Sequence, residues 1–145
     1  MKLSTKGRYG LMAMYQLAIV YGEGPISIKS IAGEEELSEN YLEQLFSTLK
    51  KDGLIISSRG AYGGYMLSRH PKEITVGEIL RSLEGENYPA ECVSSDGFEC
   101  KKEEMCATKL VLAKIKNGID QVIDSITLQD MVEESNTVKS DFKED

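Results

Sequence analysis

Between residues 38 and 53 the apolar positions recur with the period of an α-helix. The spacing i, i+3, i+4 and i+7 is formed by Leu42, Leu45, Phe46 and Leu49. These positions share one face of a helix, and most residues between them are polar. Ser38 is a favourable N-cap, and Gly53 is the residue type expected just past a helix end. The pattern therefore predicts one amphipathic helix with a single buried stripe.

After Gly53 the pattern changes from helical to extended. Two short runs at residues 54–58 and 65–68 are typical of strands, and residues 59–64 between them (RGAYGG) are rich in glycine. Such a segment predicts a β-hairpin with a basic tip. A polar-faced helix followed directly by such a hairpin is the order of the recognition helix and wing in a winged helix-turn-helix. An ordinary tight hairpin is the alternative interpretation.

The flanking segments complete this arrangement of elements. Ser4 or Thr5 can cap a first long helix, and Ser27 can cap a short second one. Beyond the hairpin, Thr75 and Glu78 have the spacing of a capping box that begins another helix. The predicted fold class is mostly α with a small β-hairpin, in which residues 1–85 form a winged helix-turn-helix domain.

A long helix with the spacing of a coiled coil is predicted over residues 105–125. Its apolar seam steps by 3, 4, 3 and 4 through Leu112, Ile115, Ile119, Val122 and Ile126. Pairing with a second copy would bury this seam, so we expect a homodimer; packing on the chain's own winged domain is the alternative. With a short last helix, residues 105–133 form the predicted dimerisation region. Residues 134–145 are charged and lack periodicity, and are predicted to be a disordered tail.

The polar face of the central helix and the hairpin tip are candidates for contact with DNA. Asn and Gln can pair with adenine edges, Glu can accept from cytosine, and Lys can neutralise phosphates. Arg59 is the side chain that we expect to enter the minor groove. The alternative is a core helix with a solvated polar face. The candidate DNA-binding residues are Ser38, Asn40, Tyr41, Glu43, Gln44, Ser47, Lys50, Lys51, Arg59, Gly60, Tyr62 and Gly63.

The charge distribution is compatible with DNA binding although the net charge is −7. Residues 1–90 carry 10 Lys and Arg against 11 Asp and Glu, whereas residues 91–145 carry 7 against 13. The acidic excess therefore lies in the C-terminal part. A nearly neutral N-terminal domain can bind DNA through a local basic face, with strong dependence on salt and on dimerisation.

The sequence argues against a membrane protein and against an enzyme. No run of eighteen apolar residues and no signal-peptide core is present, so a cytoplasmic protein without a membrane partner is expected. The single histidine, His70, has no cysteine or acidic cluster nearby, and the glycines at residues 59–64 join strand to strand without the Gly-Lys-Ser/Thr of a nucleotide loop. We find no nucleophile–base pair and no paired-carboxylate motif.

Three cysteines lie within fifteen residues of one another, two of them in a polar loop at residues 86–104 and the third just after it, where the long helix begins. Cys92, Cys100 and Cys106 have the spacing C-x₇-C-x₅-C, which differs from the C-x₂-C of a structural zinc site. This spacing would let a loop place three thiolates around an iron–sulfur cluster. Three free cysteines would look the same in sequence, and exposed ones would be prone to oxidation.

Nearly the whole chain resembles the Rrf2 family of bacterial winged-helix regulators. The resemblance rests on the stretches LSTKGRYGLMAM, SENYLEQLFSTLKKDGLI, RGAYGGYMLSR, VGEILRSLEG and SITLQDMV. The cysteine loop makes the chain similar to the IscR-type branch, whose members are dimers that carry a two-iron, two-sulfur cluster and repress iron–sulfur assembly genes. The resemblance implies a DNA-binding repressor that recognises a palindromic operator.

The same resemblance implies cluster ligands. Cys92, Cys100 and Cys106 correspond to the three cysteine ligands of that branch, and the fourth ligand there is a histidine three residues after the last cysteine. In this chain that position is Lys109, and the acid that another branch uses in the first helix corresponds to Arg8. The fourth ligand is therefore unassigned. The first seventy residues are equally similar to the family's regulators of cysteine metabolism, which lack the cysteine loop; control by a partner protein or by thiol oxidation is the alternative.

Overall fold

The computed structural model describes residues 4–85 and 107–143, with side chains described as far as residue 138. Within these ranges the chain forms helices and one antiparallel hairpin, as the sequence predicts. The elements are α1 (Thr5–Ile19), α2 (Ile28–Glu35), α3 (Glu39–Lys51), β1 (Ile55–Ser58), β2 (Gly64–Leu67), α4 (Val76–Glu84), α5 (Ala107–Ser125) and α6 (Leu128–Lys143), with a 3₁₀ turn at Pro71–Glu73. No helix of the described ranges is long and apolar enough to cross a membrane.

Serine side chains fix the starts of the first three helices. The hydroxyl groups of Ser4, Ser27 and Ser38 each accept a hydrogen bond from a backbone N–H in the following turn. This satisfies a donor that the helix itself leaves unpaired. Glu36 adopts a left-handed conformation (φ 55°) at the end of α2, which makes the turn between α2 and α3 tight. The three predicted starts are therefore confirmed.

The apolar stripe of α3 lies in the centre of the core. Leu42, Leu45, Phe46 and Leu49 are all buried, together with Met14 and Leu17 of α1 and Ile79 of α4. The Phe46 ring lies 4.8 Å from the ring of Tyr65 in the hairpin. The stripe holds α3 against α1, α4 and the hairpin, so its opposite face must point outward.

The hairpin that follows α3 pairs Ile55 with Leu67 and Ser58 with Gly64. Ile26, just before α2, adds two backbone hydrogen bonds to Tyr65, with N···O distances of 2.8 and 2.9 Å. These bonds attach the hairpin to the segment between α1 and α2. The hairpin thus has a fixed position relative to α3.

The prediction for the last helix is wrong in its extent. A short helix ending near Glu133 was expected, but α6 continues to Lys143. That residues 134–145 form a disordered tail stays a prediction. Residues 134–143 contain neither proline nor glycine, so nothing in them stops a helix. The Tyr15 hydroxyl of α1 also donates to the Ser135 hydroxyl at 2.5 Å, which attaches the continued helix to the winged domain.

Candidate nucleic-acid interface

Four polar side chains of α3 form a continuous outward face. Asn40, Glu43, Gln44 and Ser47 are exposed and line one shallow depression. They alternate with the buried stripe, so the core packing of α3 determines their direction. The predicted polar face is therefore present as one surface of donors and acceptors.

Two further candidates at the start of α3 also have structural contacts. The Ser38 hydroxyl accepts from the Tyr41 N–H at 3.1 Å, which leaves its own O–H to donate. The half-buried Tyr41 ring packs edge-on against Tyr9, with centroids 6.0 Å apart. Both residues thus stabilise the start of α3 at the edge of the polar face.

A hydrogen bond joins the end of α3 to the hairpin. Lys50 Nζ donates to the Ser57 hydroxyl of β1 at 2.6 Å. Lys51 is exposed beside it. The cationic end of α3 is therefore next to the first strand of the hairpin, and one of its two lysines holds the two elements together.

The tip of the hairpin carries two exposed side chains on a turn that glycine makes possible. Arg59 is exposed, and Tyr62 is 95% exposed. Gly60 has φ +104°, and a Cβ at Gly63 would lie 2.3 Å from the Ser58 carbonyl oxygen. A side chain is thus strained at the first position and excluded at the second. The two glycines shape the turn that presents Arg59 and Tyr62.

The predicted dimerisation seam lies on a helix that the rest of the chain leaves open. None of the described side chains of α5 is buried. In the seam, Ile115 is 45% exposed and Val122 is 57% exposed, while Leu112, Ile119 and Ile126 are half-buried. An apolar hollow of about 470 Å³ is lined by Ile115, Gly118, Ile119, Val122 and Ile123. This surface leaves apolar area for another molecule to cover.

An ion-pair cluster joins α4 to α5. The Arg81 guanidinium contacts both carboxylate oxygens of Asp124, at 2.7 and 2.9 Å, and Asp120 at 3.3 Å. Lys116 contacts the same Asp120 at 2.8 Å. The hydrogen bond from Arg81 lowers the pKa of Asp124, as does the positive charge of the guanidinium, against the opposing effect of partial burial. These pairs, partly open to solvent, fix the side of α5 that faces α4.

Sequence reasoning missed this cluster and one capping contact. The signal was the i, i+4 spacing of Asp120 and Asp124 on α5, but nothing local shows that Arg81 lies opposite them. Likewise, the Glu84 carboxylate accepts from the backbone N–H groups of Ser4, at 2.8 Å, and Gly7, at 3.2 Å. Both contacts join positions more than thirty-five residues apart.

The cysteine site lies outside the described residues. Cys92, Cys100 and Cys106 all fall between residues 86 and 106. In the described ranges 4–85 and 107–143, no group of three or more His, Cys, Asp or Glu side chains could hold a metal ion. Lys109 lies half-buried in the first turn of α5, at the position where the resemblance would require a histidine.

The fold and the exposed face define a class of protein. A polar-faced helix packed through its apolar stripe, followed by a hairpin with an exposed arginine, is the arrangement of a winged-helix DNA-binding regulator. The model of the Rrf2 family, described as an iron-dependent transcriptional regulator, matches residues 3–134. The chain belongs to the Rrf2 family, and it is a transcriptional regulator, not an enzyme.

The chain is similar to a cysteine regulator of the family. The transcriptional regulator CymR of Bacillus subtilis is 50% identical over 131 residues, which cover 90% of this chain and 89% of CymR. A solved structure of that protein, described as the global cysteine regulator of B. subtilis, has a TM-score of 0.75 and covers 92% of this chain and 97% of its own.

Two IscR proteins are also similar. The structure of IscR from T. potens is 48% identical, has a TM-score of 0.76, and covers 93% of this chain and 88% of its own. The regulator IscR of Pectobacterium carotovorum is 35% identical over 132 residues, which cover 91% of this chain and 79% of IscR. The chain therefore resembles both a cysteine regulator and IscR regulators along most of its length.

Proposed function

We propose that the chain is a homodimeric, cytoplasmic repressor that reads a palindromic operator through α3 and the hairpin tip. The observation that carries this proposal is the division of α3 into a fully buried apolar stripe and an exposed polar face. Gln44 and Asn40 would read base edges in the major groove, and Lys51 would contact phosphate. Arg59, presented by the glycine turn, would enter the adjacent minor groove.

The open seam of α5 supports the proposed dimerisation. A single winged domain reads one half-site, and two domains joined through the seam would read two half-sites about one helical turn apart.

The direct test is binding to selected DNA. The purified protein should enrich a palindrome from a random DNA library and bind it as a dimer in sedimentation and anisotropy measurements. Binding should weaken steeply with salt, because lysine and arginine contacts release counterions from the phosphates. A protein that enriches no sequence, or binds only as a monomer, would contradict the proposal.

The signal that we propose is the state of sulfur metabolism, sensed without a resident cluster. The identity of 50% to CymR, over nearly the full length of both chains, supports this choice. The set of possible ligands supports it as well. A two-iron cluster takes four protein ligands, and Cys92, Cys100 and Cys106 supply three, which leaves the fourth unassigned. The ammonium group of a lysine such as Lys109 has no free electron pair to donate until it loses a proton.

An iron–sulfur cluster is the second candidate, favoured by the three cysteines and by the likeness to IscR. If it is bound, the three cysteines would hold it together with a fourth ligand, and it would supply redox and oxygen sensitivity. Purification without oxygen separates the two candidates. A colourless protein without iron supports control through thiols or a partner protein; a brown protein with stoichiometric iron and sulfide supports the cluster.

A further inference from the structure

Helix α4 lies between the proposed recognition helix α3 and the proposed dimer helix α5, and two of its consecutive residues make polar contacts with them, one residue with each helix. Arg81 contacts Asp124 and Asp120 of α5. Ser82 donates to the carboxylate of Asp52, the C-cap residue of α3, at 2.5 Å. Adjacent side chains on a helix point about 100° apart, so α4 can reach both neighbours from one turn.

The attachment of α5 to the winged domain has a polar part. No described side chain of α5 is fully buried, although Ile119 and, just after the helix, Ile126 are half-buried, so polar contacts add to partial apolar packing in holding this helix. At its C-terminal end the backbone is held by two hydrogen bonds, from the Val76 N–H to the Ile126 oxygen at 2.8 Å and from the Leu128 N–H to the Ile74 oxygen at 2.9 Å. These bonds hold α5 at one end only.

The Arg81 cluster supplies the second point of attachment. Asp120 lies six residues before Ile126, which corresponds to about 9 Å along a helix. Two attachments separated by this distance determine the direction of a rod, whereas one does not. The fork of the guanidinium, with two contacts to Asp124 and one to Asp120, also restricts rotation of α5 about its own axis.

The close approach of α4 and α5 is built into the sequence at Gly77. A Cβ at this position would lie 2.0 Å from Asp124 Oδ1 and 2.9 Å from the Arg81 guanidinium. Any other residue would displace the Asp124 carboxylate from its place against Arg81. Gly77 thus gives a second way to disturb the same contact without removing a charge.

The opposite side of α4 is held firmly to the recognition helix. Ile79 and Leu83 are buried in the same core as the apolar stripe of α3. Because this packing is apolar and buried, α4 and α3 move together. The contact between Arg81 and α5 is then the less rigid of the two contacts that link the recognition helix α3, through α4, to the dimer helix α5.

We infer that Arg81 is a positioning residue that sets the distance and rotation between the two recognition helices of the dimer, and therefore the half-site spacing that the protein accepts. This inference rests on the proposed function, since it requires a dimer joined through α5. In each subunit Arg81 fixes the angle between α5 and the winged domain. Without it, each recognition helix can adapt to a range of spacings.

The test uses the palindrome selected by the wild-type protein and versions with one base pair inserted or removed between the half-sites. One base pair rotates the half-sites by roughly 35° about the DNA axis, given about ten base pairs per turn. For the wild type we expect about a hundredfold loss of affinity at the altered spacings, because the second half-site is no longer reached. For Arg81→Met, which keeps the apolar stem, we expect less than about tenfold. Gly77→Ala should flatten the profile in the same way.

Arg69→Met is the matched control. It removes the ion pair of Arg69 with Glu78, which also ends on α4 but does not reach α5. Its spacing profile, normalised to its own affinity for the selected palindrome, should remain as steep as that of the wild type. Affinity for a DNA fragment with a single half-site should be unchanged in Arg81→Met, which separates positioning from direct contact with DNA.

Two results would overturn the inference while the proposed function stands: an equally steep profile in both Arg81→Met and Gly77→Ala, or an equally flattened one in Arg69→Met. If the wild type itself selects no palindrome, the proposed function fails first. Sedimentation and thermal unfolding of each variant confirm that a folded dimer is compared in every case.

Discussion

The Lys50 ammonium group lies 2.6 Å from the Ser57 hydroxyl and so connects the recognition helix to the first strand of the hairpin. This contact gives Lys50 a structural role beside the phosphate contact that we propose for it. It holds the hairpin against α3, so we expect the two elements to approach the DNA duplex together. Lys51, next in the chain, has the same charge and similar exposure, and provides a natural comparison.

The two lysines should therefore differ in their coupling to Ser57. In a double-mutant cycle measured on operator affinity, Lys50→Met and Ser57→Ala should show a coupling energy of about 0.5–1 kcal/mol, since each removes the same hydrogen bond. Lys51→Met and Ser57→Ala should be additive within about 0.3 kcal/mol. Equal coupling for both lysines would mean that the hydrogen bond does not order the hairpin.

Arg59 and Gln44 should affect DNA binding in different ways. Arg59→Ala should weaken binding to all sequences and reduce the salt dependence by about one phosphate equivalent, whereas Arg59→Lys should keep most of the salt dependence. Gln44→Ala should instead change base preference, costing about 1–3 kcal/mol at particular base pairs. Anisotropy titrations over a salt series, on the operator and on its single-base variants, measure both effects. Unchanged affinity in all three variants at low salt would remove α3 and the hairpin from the interface.

The local features of the fold could be predicted because their causes are local. The serine caps, the Thr75–Glu78 capping box and the stripe from Leu42 to Leu49 depend on residues within one or two turns of each other. The side of α3 that faces outward follows from that stripe alone. For the same reason the exposed polar face was predictable before any contact with another element was known.

The contacts between distant segments could not be predicted in this way. Arg81 finds Asp124 forty-three positions later, and Tyr15 finds Ser135 after one hundred and twenty. The prediction of a short last helix was wrong because composition describes a segment in isolation, whereas α6 contacts α1 in the folded chain. The ion-pair cluster between α4 and α5 likewise forms only when the chain folds.

The Arg81–Asp124 pair should make part of the stability depend on pH at acidic values. The hydrogen bond from Arg81 lowers the pKa of Asp124 in the folded chain below the value of about 3.9 expected in the unfolded chain. A group with a lowered folded pKa contributes stability above the unfolded pKa and loses it as the pH falls through the folded pKa. Because the pair is partly exposed, the contribution should be small and should shrink further with salt.

Denaturant unfolding between pH 2 and pH 6, roughly spanning the carboxylate range, tests this dependence. The wild type should lose more stability towards low pH than Asp124→Asn, and the difference should vanish when both carry Arg81→Met. A difference that persists in the Arg81→Met background would assign the pH dependence of Asp124 to another cause.

The open seam of α5 should be the dimer interface. Ile119→Glu would place a charge at the centre of the seam, where a second copy would exclude water from the carboxylate. We expect monomers in sedimentation and a loss of operator affinity of about a hundredfold or more, because each domain then binds one half-site alone. Asn117→Glu, two positions away on the exposed side of the same helix, is the control and should remain a dimer. An intact dimer in Ile119→Glu would move the interface elsewhere, most plausibly to α1.

The cysteines should affect sensing without affecting the fold. The apolar stripes of α1, α3 and α4 pack with the hairpin into one core, so we expect Cys92→Ala, Cys100→Ala and Cys106→Ala each to remain folded dimers. If a cluster is bound, each of the three substitutions should abolish iron binding, and Lys109→His should increase the retention of iron by restoring a nitrogen ligand.

If the thiols act by oxidation, the wild type should change its operator affinity on treatment with peroxide, and at least one alanine variant should not. Operator affinity at fixed salt, before and after loading with iron and sulfide or treatment with peroxide, separates these outcomes. If the operator affinities before and after each treatment agree within about twofold, which is less than about 0.5 kcal/mol, neither the cluster nor thiol oxidation controls DNA binding. The signal would then come from a partner molecule.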